Sequence, residues 1–381
     1  MPALSTVGRA DLSGFLKTSV ERGDIPGVVA LVTSPDAEMY LEAFGFADVA
    51  ARRPLERDAI FRIASMTKPV TTLAAMMLYE QGELELDAPV VRYLPDYRQP
   101  PIVDAFDAAT GRVNTHPAEA PITIRHLLTH TSGMAYSFDD PVLAALEKAG
   151  TKDDDFPLVH EPGARWTYGP NTLLLGRVVE RLTGDPLDVV FRTRIFEPLG
   201  MQDTSYRVPD DKRARVVKAY QRSSGTLTEL PASPAAGAVR GDAGLASTAH
   251  DYGIFVRMLL NGGRSGAVRL AAPATVEAMR TNQIGALRVR RMAATMPSIA
   301  LSFPVGADHD TFGFGFQIAA PGTSVRSAGS YSWAGVFNTY FWVDPIRRIG
   351  AVLLMQVLPF FDEKCAHVAG GFEDRVYRAL Q

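Results

Sequence analysis

The chain has 381 residues, 46% of them hydrophobic and 21% charged, and a formal net charge of −3. That is enough apolar material for one large core or two domains, and the near-neutral balance with no long basic run argues against a nucleic-acid partner. The single cysteine, Cys365, excludes a disulfide framework and a Cys-based zinc site.

No stretch reaches the length of a membrane span, so no membrane partner is expected. The opening residues Met1-Pro2-Ala3-Leu4 lack a basic end followed by an apolar run, so no signal peptide and a cytoplasmic location are expected. Helical periodicity over 8–22 (Leu12, Phe15, Leu16, Val20) ends at Ile25-Pro26-Gly27. Val28–Thr33 reads as an apolar strand, and 38–47 as its hairpin partner across Ser34-Pro35-Asp36.

Residues 61–68, Phe-Arg-Ile-Ala-Ser-Met-Thr-Lys, then open a helix that is apolar nearly all round (Met66, Val70, Leu73, Ala74, Met77, Leu78). If the helix starts at Ser65, Ser65 and Lys68 share a face one turn apart. A serine hydroxyl needs a neighbouring base to become a nucleophile, and a buried lysine amine can serve. Ser65 is also a credible helix cap, and Pro69 sits where a missing backbone donor costs least. One such Ser-x-x-Lys pair is expected by chance in a chain of this size, so a capped helix with a snorkelling lysine accounts for it equally well.

From about 95 to 240 prolines, polar turns and short helical patterns dominate, with 122–129 and 172–183 the clearest helices. Trp166-Thr167-Tyr168-Gly169 precedes the second of these. A phenol beside an ammonium can exchange protons with a serine, although a buried tyrosine more often just satisfies its hydroxyl. His126 and His130 have the i, i+4 spacing of a metal pair but lack the following Glu and a third ligand, so no metal is expected. Beyond 243 the pattern predicts a helix over 247–260, strands over 312–318, 335–343 and 349–357, and a closing helix over 365–380. The stretch 328–337, Ala-Gly-Ser-Tyr-Ser-Trp-Ala-Gly-Val-Phe, reads either as a strand edge that offers an N–H to an oxyanion or as a plain turn. No Gly-x-Ser-x-Gly and no phosphate-binding Gly-x-x-x-x-Gly-Lys occurs.

Taken together and in this order, Ser65-x-x-Lys68, Tyr168 and the 333–335 strand motif resemble the serine β-lactamase and penicillin-binding-protein superfamily, in its class C-like branch. The segments Gly82–Pro95, Leu127–Gly133, Pro198–Met201 and Gly244–Ala249 are similar to that branch as well. Class C β-lactamases carry Lys-Thr-Gly on the strand; Trp333-Ala334-Gly335 resembles instead the Trp-x-Gly of family VIII carboxylesterases. The Tyr motif reads Tyr168-Gly169-Pro170 with Asn171 one place late, which leaves a substrate-binding part for an Asn side chain in question.

The resemblance implies an α+β fold. A mainly antiparallel sheet flanked by helices (1–85 and 240–381) would carry an inserted, mostly helical domain (86–239), with the site in the cleft between them. It implies Ser65 as nucleophile, Lys68 and Tyr168 as the base system, and the N–H groups of Ser65 and Val336 as the oxyanion hole, without a cofactor. Trp333 and Gly335, with Tyr136, Phe138, Phe314 and Phe337, would form a substrate wall suited to a small neutral ester. β-Lactam hydrolysis, D-amino-acid peptidase chemistry and acyl transfer to a non-water acceptor are the alternatives within enzymes; a catalytically dead sensor or scaffold is the alternative outside them. Monomer and homodimer stay open.

Overall fold

The computed structural model describes residues 2–107, 110–231 and 237–381; Met1, the first residue read for a leader, lies outside them. Its centre is an eight-stranded antiparallel sheet. The strands are β1 (Gly27–Thr33), β2 (Glu38–Asp48), β3 (Arg53–Pro54), β4 (Thr311–Phe312), β5 (Gln317–Ile318), β6 (Tyr331–Gly335), β7 (Thr339–Asp344) and β8 (Ile349–Leu354). They lie in the order β4-β5-β6-β7-β8-β1-β2-β3. The join between the two ends of the chain is thus the ladder of β1 and β8, with Val29 opposite Leu354 and Thr33 opposite Gly350.

β1 is buried along its whole length because helices cover both faces of the sheet. Val29 and Leu31 enter the larger core, while Val28, Ala30 and Val32 enter a second one. A continuous apolar run, rather than alternation, is what a strand covered on both faces requires. Helices α1 (Thr6–Glu21) and α6 (Glu363–Ala379) pack against each other in the second core. On the other face α2 (Thr67–Glu80) and α5 (Ala249–Leu260) fill the first. There Gly253 of α5 lets Leu31 of β1 approach so closely that a Cβ would sit 2.7 Å from its Cδ1. The helices α3 (Ile124–Thr129) and α4 (Asn171–Thr183) belong to the middle of the chain, and α2 packs on α4.

Several expectations need correction. The predicted strand 312–318 is two short strands joined by a reversal at Gly313–Gly315, where Gly315 takes φ +81°. The predicted strand 335–343 begins only at Thr339, because residues 336–338 form the turn between β6 and β7 with Asn338 at φ +59°. The middle of the chain also holds hairpins over Ile102–Asp107 with Arg112–His116 and over Tyr220–Ser223 with Thr226–Glu229, where the residue pattern showed few strand signals. No helix among the described residues is long and apolar enough to cross a membrane.

Candidate active site

Ser65 does not cap α2. It lies inside a 3-10 turn, Ala64–Met66, just before α2 begins at Thr67, and no side chain caps that helix. The turn is tied down on all sides: Ile63 N–H donates to Leu245 O at 3.0 Å, the Tyr252 hydroxyl donates to Met66 O at 2.9 Å, and Leu245 N–H donates to Thr67 Oγ1 at 3.3 Å. Ala64 is held at φ +44°, a conformation costly for a residue with a Cβ. Gly335 of β6 packs against this turn so tightly that a Cβ there would lie 2.3 Å from Ile63 O. Strain before the serine and close approach of β6 behind it leave the hydroxyl free to point into the cleft.

Its partners are those expected. Lys68 Nζ donates to Ser65 Oγ at 3.1 Å, and the Tyr168 hydroxyl donates to the same oxygen at 2.8 Å. Lys68 is 1% exposed, and its ammonium lies 5.0 Å from the ring centre of Tyr168 and 5.2 Å from that of Tyr136. Tyr168 stands three residues ahead of α4, and its carbonyl accepts from Tyr136 N–H at 3.2 Å, which locks the two tyrosine segments together. Gly169 permits this, since a Cβ there would meet Met134 O at 2.2 Å.

The lysine has two further acceptors that residue-by-residue reading did not assign. Nζ donates to Tyr136 Oη at 3.0 Å and to the Asp242 carbonyl at 2.8 Å. Tyr136 in turn donates to Asp242 Oδ2 at 2.7 Å, and Arg240 grips both Asp242 oxygens at 2.9 and 3.0 Å. Burial, then the Asp242 carboxylate, push the Tyr136 phenol well above its ordinary value. Burial would raise Asp242, but Lys68 and Arg240 outweigh it and hold the carboxyl below the usual carboxylate range. Tyr136 is therefore more than the pocket wall it was expected to be. Asp242 and Arg240 fall in a Gly-flanked loop with no periodicity, and the nearest sequence signal is the Gly244–Ala249 segment beside them.

A cavity of about 410 Å³ opens at Ser65. Tyr136, Phe138, Tyr168, Trp333, Gly335 and Val336 line it, and Met292, Ile299, Leu301, Phe303 and Phe360 add an apolar wall. All of that wall but Phe360 belongs to a strap of chain over 292–303. Thr295 holds one end through its N–H to Phe138 O and its hydroxyl to Ser137 O, and a Leu301–Phe360–Ile299 backbone ladder holds the other. Arg326, also on the lining, is paired with Glu373.

Two of the expected wall residues do not line this cavity. Phe314 is 1% exposed in the reversal between β4 and β5, beneath the Arg125 guanidinium at 5.7 Å. Phe337 lies in the β6–β7 turn under Arg62 at 5.8 Å. The histidine pair is spent on structure: His126 Nδ1 accepts from Thr123 N–H at the start of α3, and His130 lies buried beside Trp166, Tyr168, Phe312 and Trp333. Burial, then Lys68, lower His130 well below its ordinary value, so its ring is neutral. Asn171 is fully buried; it accepts from Ser132 Oγ and donates to His130 Nδ1 at 2.8 Å. Among the described residues no group of three or more His, Cys, Asp or Glu is placed to hold a metal ion.

A serine held by a lysine and a tyrosine, between an antiparallel sheet and helices, defines a serine hydrolase of the β-lactamase fold. The sequence matches the Beta-lactamase family over residues 12–369, and the chain belongs to that family. It is 30% identical over 413 residues to esterase EstB of Burkholderia gladioli, covering 97% of this chain and 95% of that one. It is also 30% identical over 395 residues to monacolin J acid methylbutanoyltransferase of Aspergillus terreus, covering 96% and 94%. Among solved structures, a simvastatin synthase (LovD) variant from Aspergillus terreus superposes with a TM-score of 0.84 at 29% identity, covering 97% of this chain and 95% of that one.

Proposed function

We propose that the protein is a serine carboxylesterase of the Ser-Lys-Tyr type, close to family VIII esterases, that hydrolyses small neutral acyl esters through an acyl-enzyme on Ser65. The observation that carries this reading is Ser65 Oγ, held at 3.1 Å from Lys68 Nζ and 2.8 Å from Tyr168 Oη at the mouth of an apolar cavity. Ser65 Oγ would attack the ester carbonyl while its proton passes to the Lys68–Tyr168 pair. The N–H groups of Ser65 and Val336, both on the cavity lining, would receive the oxyanion. The alkoxide would leave with the proton from the pair, and water activated by the same pair would release the acid. No cofactor enters this scheme, and the partner is a small-molecule ester.

Trp333 stands on β6 where a carboxylate-bearing substrate would want a cation, which favours neutral esters over β-lactams. A panel of p-nitrophenyl esters run beside nitrocefin tests this. Short esters should have the higher kcat/KM, and a higher value for nitrocefin than for every ester would replace the reading with a β-lactamase. The match to a methylbutanoyltransferase favours a second reading, acyl transfer to an alcohol. It predicts that added alcohol acceptors divert the acyl group from water without slowing release of p-nitrophenol.

A further inference from the structure

We propose that Asp242, clamped by Arg240, is a positioning residue that holds Lys68 in place through Tyr136 and sets how tightly the Lys68–Tyr168 pair holds its proton; this rests on the acyl-enzyme reading above. The clamp is built into the fold. Arg240-Gly241-Asp242 lies across the start of α2, where Thr71 Oγ1 donates to Gly241 O at 2.6 Å and Lys68 Nζ donates to Asp242 O at 2.8 Å. Only glycine fits between α2 and α4 here, because a Cβ on Gly241 would lie 2.1 Å from Thr172 O of α4. The Asp242 side chain is 3% exposed, whereas Arg240 is 42% exposed and reaches it from the solvent side.

The Tyr136 hydroxyl connects this carboxylate to the lysine. Its two bonds span 3.0 and 2.7 Å, which puts Lys68 Nζ within 5.7 Å of Asp242 Oδ2. Tyr136 has one proton, and it is given to Asp242, so its oxygen faces Lys68 only as an acceptor. The lysine thereby keeps three acceptors, Ser65 Oγ, Tyr136 Oη and Asp242 O, for its three N–H bonds when charged. The charged and titratable groups around Asp242 are Lys68, Arg240 and Tyr136 in contact, with Asp153, His130 and Tyr206 within its field. Lys68 and Arg240 therefore share one buried negative charge.

The sign of the consequence does not depend on which member of the pair accepts the serine proton. A negative charge raises the proton affinity of both lysine and tyrosine. Its removal should move the acid limb of Ser65 reactivity to lower pH, and removal of its cationic partner should move the limb to higher pH.

The experiment is the pH dependence of the second-order rate at which a fluorophosphonate labels Ser65. There the P–F bond breaks, the Oγ–P bond forms, fluoride leaves and the serine proton goes to the pair, so no natural substrate is needed. Asp242→Asn should shift the acid limb down by about one pH unit or more, the range for losing a charge at this separation. Arg240→Ala should shift it up, Arg240→Lys should stay near wild type, and the double variant should fall between the single ones. A residue that merely supports the fold would lower the plateau without opposite shifts. If Asp242→Asn does not fold, Arg240→Ala against Arg240→Lys decides alone. Limbs that stay put, or move the same way, in properly labelled variants overturn the clamp and leave the esterase reading standing. Absence of labelling in the wild type, with Ser65→Ala as control, overturns both.

Discussion

The His130 ring lies nearly parallel to Trp333, at 14° with centroids 6.1 Å apart, and Asn171 fixes that imidazole from behind. The asparagine that follows the tyrosine motif thus reaches the cavity wall indirectly, by holding the histidine that backs Trp333. Asn171→Ala should cost about 1–3 kcal/mol of stability, because Ser132 and His130 lose a buried partner. KM for esters should rise more than kcat falls. A thermal melt and Michaelis parameters for one short ester check both; a variant with unchanged KM would detach Asn171 from the wall.

Ser65→Ala should lower esterase activity by about 10³-fold or more, as loss of a covalent nucleophile does. The alanine variant should keep its melting temperature, since Ser65 is not a cap. A folded variant with most of its activity would remove Ser65 from the chemistry.

Lys68→Ala and Tyr168→Phe should each be severe, and the double variant little worse than either. Both groups meet the same oxygen, and groups that serve one proton transfer, as proposed, do not multiply in their effects. Losses that multiply fully in kcat/KM would assign them separate steps.

Acyl chain length should be read by the strap over 292–303. Each added methylene that finds apolar wall is worth about 0.8 kcal/mol, or about fourfold in kcat/KM, until the cavity is full. Leu301→Trp should move the optimum to a shorter chain. An unchanged length profile would show that the acyl group lies elsewhere.

Asp139 anchors the strap by accepting from Ala293 N–H, and burial, offset in part by that bond, pushes its carboxyl up to about 7. A folded value above the unfolded one means the native state binds the extra proton, so stability is greatest below pH 4 on this account and falls as pH rises to about 7. Asp139→Asn should match wild type near pH 4, if both remain folded there, and melt higher at pH 8. A melt difference that does not change with pH would contradict the assignment.

The grouping of Ser65, Lys68 and Tyr168 was legible only through the resemblance, because the three motifs in one order single out residues that each motif alone leaves open to a structural role. The outer strands of the sheet were less so: β4 and β5 are two residues each, too short for alternation to register, and Phe314 between them is buried away from the cavity. Asp242 and the strap over 292–303 act through loop geometry, which leaves no period. Their partners, Lys68 at 174 residues away and Ser137 at 158, are set only by the folded chain.

The ladder between β1 and β8 has a consequence for how the protein is made. Residues 27–33 leave the ribosome with five apolar side chains and cannot cover their outer edge until 349–354 follow. At about 5–20 residues per second, the roughly 320 intervening residues hold that edge open for about 16 to 64 s. During that interval the β1–β2 hairpin offers an unpaired edge to any other extended chain. A nascent chain arrested at residue 340 should therefore remain protease-sensitive across 27–48, and one arrested beyond residue 420 of a linker-extended version should not.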